Sequence, residues 1–356
     1  MADIALVGIG HRYGQRPYAL EPLDVTFQQG RTYALLGPSG CGKTTMLNIV
    51  SGLLRPSDGR ILIDGRDMTD VKTAARNIAQ VFQFPVIYSA KSVADNLAFP
   101  LICRRWPTAK VRARVEEIAA LLGLDPILGK RARNLTADQK QLISLGRGLV
   151  RDDVAALLMD EPLTVIDPQS KFALRRKIKA VIEQARLTVV YVTHDQNEAM
   201  TFAHEVLVMK NGTVVQQGTP DELFERPKTT YVGYFIGSPA MNFLDLVLKP
   251  DGLWIEGTKT VLPISERAGL TGRKLQLGIR PEHLSLAGAT EQPLVTGPIV
   301  TQQDCGSSRI ALVQVGETIV RVKVGRDDVL PEGMAALSAP RDKWCLYADG
   351  ALVGGT

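Results

Sequence analysis

The chain has 356 residues, 45% hydrophobic and 22% charged, with a formal net charge of +5. That length exceeds one ordinary core and makes two domains the natural expectation, in a composition typical of soluble globular proteins. No apolar run reaches the ~20 residues that cross a bilayer, and Met1-Ala2-Asp3-Ile4 lacks the basic and apolar stretches of a secretory leader, so an intracellular protein is expected.

The mild positive charge reads as solvated surface rather than a nucleic-acid footprint. Four cysteines, Cys41, Cys103, Cys305 and Cys345, lie far apart with no paired metal spacing and read as free thiols.

In chain order, Ala2 to Val7 and Val25 to Phe27 read as strands, with a turn over His11-Arg12-Tyr13-Gly14 that leaves Tyr13 as a loop aromatic. The apolar run Tyr33-Ala34-Leu35-Leu36 then leads into Gly37, Pro38, Ser39, Gly40, Cys41, Gly42, Lys43, Thr44 and Thr45, followed by the helical Met46 to Val50. Strand, glycine-rich turn and helix in that order fit the phosphate-binding P-loop. Its glycines let backbone N–H groups converge on an anion at a helix N-terminus. Lys43 would reach the β and γ phosphates of a nucleotide, and the Thr44 hydroxyl suits Mg²⁺, which prefers hard oxygens and an incomplete protein cage. Cys41, inside that nest, is expected to react readily with alkylating agents. Tyr13 is then either a packing residue or a flat face on which adenine stacks.

Gly52 and Pro56-Ser57-Asp58-Gly59 are stop and turn signals, and Arg60 to Asp64 reads as a short strand. Asn77 to Phe82 is a further strand that delivers Gln83 to its end, ahead of Phe84-Pro85-Val86-Ile87-Tyr88. A helical insert follows over about 89–150. Its apolar positions are Val111, Val115, Ile118, Leu121 and Leu122, with Gly123 as a stop; a second helix, capped by Thr136 and Gln139, buries Leu142, Leu145 and Leu149.

Ala155 to Met159 has the form of a central parallel strand and ends in Asp160-Glu161-Pro162. Ligands bind at the carboxyl edge of such sheets, so Asp160 is a candidate for Mg²⁺ and Glu161 for deprotonating an attacking water. Asp167-Pro168 opens a helix through Arg186 as N-cap and first-turn proline. Thr188 to Thr193 is one more strand, ending at His194, alone among the four histidines in standing at a strand end beside this site. Glu205 to Met209 and Thr213 to Gln217 form a hairpin about Asn211-Gly212. Beyond about Gly237 the pattern becomes short strands, with a clear hairpin of Ile310 to Val315 and Thr318 to Val324.

Together these motifs resemble the ATPase subunits of ABC transporters, specifically the importer type with a β-rich C-terminal regulatory domain that energises sugar and polyol uptake. The resemblance covers nearly the whole chain. Tyr13 matches the adenine-stacking position, GPSGCGKTT the Walker A motif, Gln83 the Q-loop, Leu157 to Pro162 the Walker B motif with its catalytic glutamate, Leu163 to Pro168 the D-loop with Asp167, and His194 the switch histidine. GSPAMNF from Gly237 and GIRPEHL from Gly278 resemble regulatory-domain segments, and LTADQKQLISLGRGLVR is similar to subunits of the glycerol-uptake branch.

The resemblance implies an α/β P-loop NTPase of the ABC ATPase class with a helical subdomain (1–236), then a mainly β regulatory domain of OB-like or TOBE type (237–356). It also implies ATP and Mg²⁺ with Thr44, Gln83 and Asp160 as metal ligands, and Lys43, Gln83, Glu161 and His194 in the catalytic set. The expected partners are a second ATPase subunit, two polytopic membrane permeases docked near Phe84 to Tyr88 and, indirectly, a solute-binding protein. No nucleic acid is expected. The expected place is the cytoplasmic face of the inner membrane, held peripherally. The other readings are a soluble ABC-type ATPase and a regulatory binding protein not coupled to transport.

One motif departs from the family. Its signature LSGGQ is here Leu135, Thr136, Ala137, Asp138 and Gln139, so two glycines that let backbone N–H groups approach the opposite subunit's γ-phosphate are replaced. Like charges ~4 Å apart repel by about 4 kcal/mol at an effective dielectric near 20. A non-identical ATPase partner is therefore expected, with a homodimer as the competing arrangement.

Overall fold

The computed structural model describes residues 3–151, 154–262, 270–286 and 293–355, which form two compact units, 1–220 and 221–356.

The first unit is built on a six-stranded sheet in the order Thr213–Gly218, Glu205–Lys210, Thr32–Leu36, Val189–Thr193, Ala156–Asp160, Ile78–Val81. All pairs are parallel except the first, whose Asn211-Gly212 turn holds both residues at positive φ. Thr32–Leu36, Ala156–Asp160 and Val189–Thr193 are buried at every position, as expected of strands covered on both faces.

One face packs through Met46, Leu47, Ile61 and Phe27 against the helix Lys43–Ser51 and an antiparallel sheet ordered Tyr18–Phe27, Ile4–Arg12, Asp58–Ile63, Arg66–Asp67. The other packs through Leu97, Ile118, Leu145 and Phe202 against the helical insert.

The first strand runs on through Arg12, so His11 and Arg12 belong to the sheet and the turn begins at Tyr13. Pairing with Tyr18 and Leu20 supplies the hydrogen bonds that extend it. Ala2 lies outside the described residues. The helical insert consists of Val93–Ile102, Thr108–Leu122 and Ala137–Leu149 with short 3₁₀ turns between. Val111, Val115, Ile118 and Leu122 are buried as expected, and Gly123 caps in the left-handed conformation. Leu121 and Leu142, read as core, are only partly buried, because each lies at the margin of its helix's apolar face.

The second unit holds two antiparallel sheets, of six strands and of five. In the hairpin Ser308–Val315 and Thr318–Gly325, Val320, Val322 and Val324 face the core while Arg321 and Lys323 face solvent. The short helices Pro220–Glu225 and Thr230–Phe235 belong to this unit, ahead of the Gly237 at which the sequence changes character. Their physical tie is Arg280, 1% exposed, whose guanidinium donates to the carbonyls of Phe224 (2.9 Å), Gly233 (3.0 Å) and Ile236, and lies 4.3 Å over the Phe224 ring.

Candidate active site

Four neighbouring parallel strands end on one edge of the first unit's sheet, and each end carries part of the site. After Leu36 the chain turns through Gly37 to Gly42 into the helix Lys43–Ser51. A Cβ on Gly37 would stand 2.4 Å from the Met209 carbonyl oxygen, and Gly42 holds φ +102°, so neither position accepts a side chain. The helix has no side-chain N-cap and no acidic residue in its first turn, which leaves its N–H groups and dipole to an anion. Lys43 Nζ lies against the loop, donating to the carbonyls of Gly37 (2.7 Å) and Pro38 (2.9 Å).

Thr44 donates its hydroxyl to Asp160 Oδ1 at 3.3 Å. Burial pushes the Asp160 carboxyl above its ordinary value, with the Thr44 hydrogen bond acting against that shift. Two hard oxygens in an incomplete cage fit Mg²⁺. No group of three or more His, Cys, Asp and Glu among the described residues would hold a metal unaided.

Glu161 adopts φ +45°, a left-handed backbone costing about 1–3 kcal/mol for a residue with a Cβ. Its carboxylate is gripped from both sides. Gln83, just past Ile78–Val81, donates Nε2 to Glu161 Oε2 at 3.2 Å. His194, just past Val189–Thr193, places Nδ1 3.1 Å from Oε1. Thr164 adds a hydroxyl to Oε2 at 3.3 Å.

Tyr13 is 47% exposed on its turn and holds its hydroxyl 3.3 Å from that of Thr45, with His11 edge-on to its ring. A half-open aromatic beside the P-loop helix is suited to stacking. Cys41 corrects the sequence expectation: its side chain is 3% exposed, inside the apolar cluster with Leu35, Met46 and Met209. The nest is made by the backbone there, and the thiol points away from solvent.

The remaining residues stand apart from this cluster. Thr136 caps Ala137–Leu149 in a reciprocal pair with Gln139, 3.3 and 3.2 Å. Leu135 packs beneath, Ala137 is exposed, and Asp138 is partly exposed in the helix's first turn, so water screens its charge in part. Asp167 caps Pro168–Ala185 by accepting from the Ser170 N–H at 3.1 Å.

Three buried polar residues near the site escaped the sequence reading. Arg76 donates to the carbonyls of Ile49 (2.7 Å) and Val50 (3.0 Å) at the C-terminal end of the P-loop helix. Glu198 accepts from Tyr191 (2.9 Å) and Thr193 (2.8 Å) just below His194. Gln141 reaches from the helical insert to the strand ends. Capping boxes and Pro-initiated helices announce themselves in sequence, whereas Arg76 and Gln141 bond to distant backbone carbonyls and Glu198 to hydroxyls that only the fold buries beside it.

A phosphate nest, a lysine, a Thr–Asp oxygen pair and a clamped glutamate define a P-loop ATPase. The comparisons narrow this. Residues 20–164 match the ABC transporter family model and residues 237–284 the MalK OB fold domain model. The chain is 41% identical over 83% of its length to 79% of the sn-glycerol-3-phosphate import ATP-binding protein UgpC of Chromohalobacter salexigens. It is 38% identical over 89% of its length to 89% of the trehalose/maltose import ATP-binding protein MalK of Thermococcus litoralis. The structure of cbiO1 from Clostridium perfringens, part of the ABC transporter complex cbiONQ, superposes with a TM-score of 0.57 at 27% identity, covering 63% of this chain and 90% of that one.

The chain belongs to the ATP-binding subunits of ABC transporters. It is an ATPase that energises solute import, with a C-terminal, mainly β OB-fold domain. No helix among the described residues is long and apolar enough to cross a membrane.

Proposed function

We propose that Glu161 is the general base for ATP hydrolysis, and the observation that carries this is the double grip of Gln83 and His194 on its two carboxylate oxygens. Phosphoryl transfer depends on positioning and charge neutralisation more than on covalent chemistry. Lys43 neutralises the β and γ phosphates, the P-loop N–H groups seat them, and Tyr13 stacks on adenine. Thr44 and Asp160 hold Mg²⁺, with the Gln83 amide oxygen as a further ligand; the ion supplies positive charge to the phosphate oxygens. His194, fixed against Glu161, senses the γ-phosphate, and Asp167 lies on the segment that faces a second ATPase subunit.

In this reading two ATPase subunits close head to tail, and the Thr136 to Gln139 turn of each faces the other's ATP. Two polytopic permeases dock near the exposed Phe84, Val86 and Tyr88, placing the chain peripherally on the cytoplasmic face of the inner membrane, with a solute-binding protein acting through the permeases. The solute is a small polyhydroxy compound, sugar or polyol, the class shared by the relatives named for trehalose/maltose and for sn-glycerol-3-phosphate. Because Asp138 brings a negative charge to the turn meant for a phosphate, the second ATPase subunit is a different polypeptide with an uncharged signature.

The test is to purify the native complex through a tag on this chain. Two different ATPase polypeptides and two membrane subunits are expected. One ATPase polypeptide in two copies overturns the heterodimer, and absence of membrane subunits overturns the coupling to transport.

A further inference from the structure

Gln141 lies on the signature helix Ala137–Leu149, is 1% exposed, and donates its amide nitrogen to two carbonyls, Phe82 O at 3.2 Å and Pro162 O at 2.9 Å. Phe82 immediately precedes Gln83, and Pro162 immediately follows Glu161. A single side chain of the helical insert therefore bonds the backbone on both sides of the Gln83–Glu161 contact.

The same helix holds the segment after Gln83 again, through Arg147, which donates to Val86 O and lies 4.7 Å over the Tyr88 ring.

The strained backbone of Glu161 gives this tie its consequence. A left-handed residue with a Cβ stays in place only when its surroundings over-determine it. Here the Glu161 N–H donates to Val192 O at 3.0 Å on one side, and Gln141 pins the Pro162 carbonyl on the other.

We propose that Gln141 is a positioning residue for ATP hydrolysis: its amide ties the signature helix to the carbonyls of Phe82 and Pro162, the chain neighbours of Gln83 and Glu161, so that displacement of this helix resets the general base. The proposal rests on the reading of Glu161 as that base. Pre-organised geometry is worth a great deal here, since a shift of about 1 Å can cost roughly a hundredfold in rate.

The experiment compares native, Gln141→Leu, Gln141→Glu and Glu161→Gln forms of the complete transporter complex, with MgATP as the probe. Gln141→Leu removes both donors at similar volume. It is expected to lower kcat of the folded complex by about 10–100-fold, with KM for ATP within about twofold and an unfolding temperature below native, because two carbonyls lose their donor. An unchanged kcat, or KM rising in step with the fall in kcat, overturns the proposal.

Gln141→Glu decides the matter if the leucine variant does not fold. Burial raises such a carboxyl; ionised it repels two carbonyl oxygens, and protonated it donates to one. The ratio of its kcat to the native value should therefore climb as pH falls from about 8 to about 6, and a ratio independent of pH contradicts the tie. Glu161→Gln separates the two readings. If it turns over normally, the base assignment fails; if it is inactive while both Gln141 variants behave as native, the tie alone fails.

Discussion

His194 Nδ1 lies 3.1 Å from Glu161 Oε1, although the two residues close different strands. The contact follows from parallel register. Asp160 pairs with Val192, so Glu161 leaves its strand level with Thr193 and His194 follows one residue further along the same edge. Gln83 arrives from the outer neighbour, where Val81 pairs with Met159. Three strand ends thus converge on one carboxylate.

Tyr13 is half exposed and free to present its ring face. Tyr13→Ala should raise KM for ATP roughly tenfold or more, since stacking of a base on an aromatic ring contributes ~1–3 kcal/mol. Tyr13→Phe keeps the ring, loses only the contact with Thr45, and should stay near native. Steady-state ATPase kinetics distinguish these, and an unmoved KM in Tyr13→Ala would remove Tyr13 from the nucleotide site.

Thiol labelling should follow exposure. Cys103 and Cys305 are exposed, whereas Cys41 and Cys345 are buried. Burial also pushes the Cys345 thiol up, which lowers its thiolate fraction further. Brief alkylation read by mass spectrometry should therefore modify Cys103 and Cys305 first and reach Cys41 only on unfolding. Rapid labelling of Cys41 in the folded protein would show that its side chain faces the loop after all.

The contrast between Cys41 and its neighbours marks what the sequence could show. Gly37 to Thr45, Gln83, Asp160-Glu161 and His194 were legible because each sits at a strand end or helix start with its own pattern, and the capping box at Thr136–Gln139 was legible from spacing alone. The direction of the Cys41 side chain depends on how a tight turn is oriented over a core, which spacing does not encode. Gln141, Arg76 and Arg280 stayed hidden for another reason: they bond mostly to backbone carbonyls, which every residue carries. The same applies to the two helices between Pro220 and Phe235, whose place with the β unit depends on Arg280 rather than on local composition.

Arg280 supports a stability prediction. Its guanidinium serves the carbonyls of Leu223, Phe224, Gly233 and Ile236 in a buried setting. Arg280→Leu leaves these acceptors unpaired, each costing roughly 1–3 kcal/mol, so a loss of about 3 kcal/mol or more is expected for the second unit. Chemical denaturation followed by Trp fluorescence is a suitable readout, because Trp254 and Trp344 both lie in that unit. A midpoint within error of native would mean that the guanidinium contributes nothing to holding the short helices.

The most direct measurement is the ATPase rate of the complete transporter carrying Glu161→Gln, alongside nucleotide binding by the same sample. The amide keeps the shape of the side chain and can still meet Gln83 and His194, but it cannot take a proton from water. Binding of ATP should persist while turnover falls by ~10²–10⁴, the usual contribution of a positioned base. Turnover equal to that of the native complex would contradict the assignment of Glu161, and with it the account of why three strand ends meet at its carboxylate.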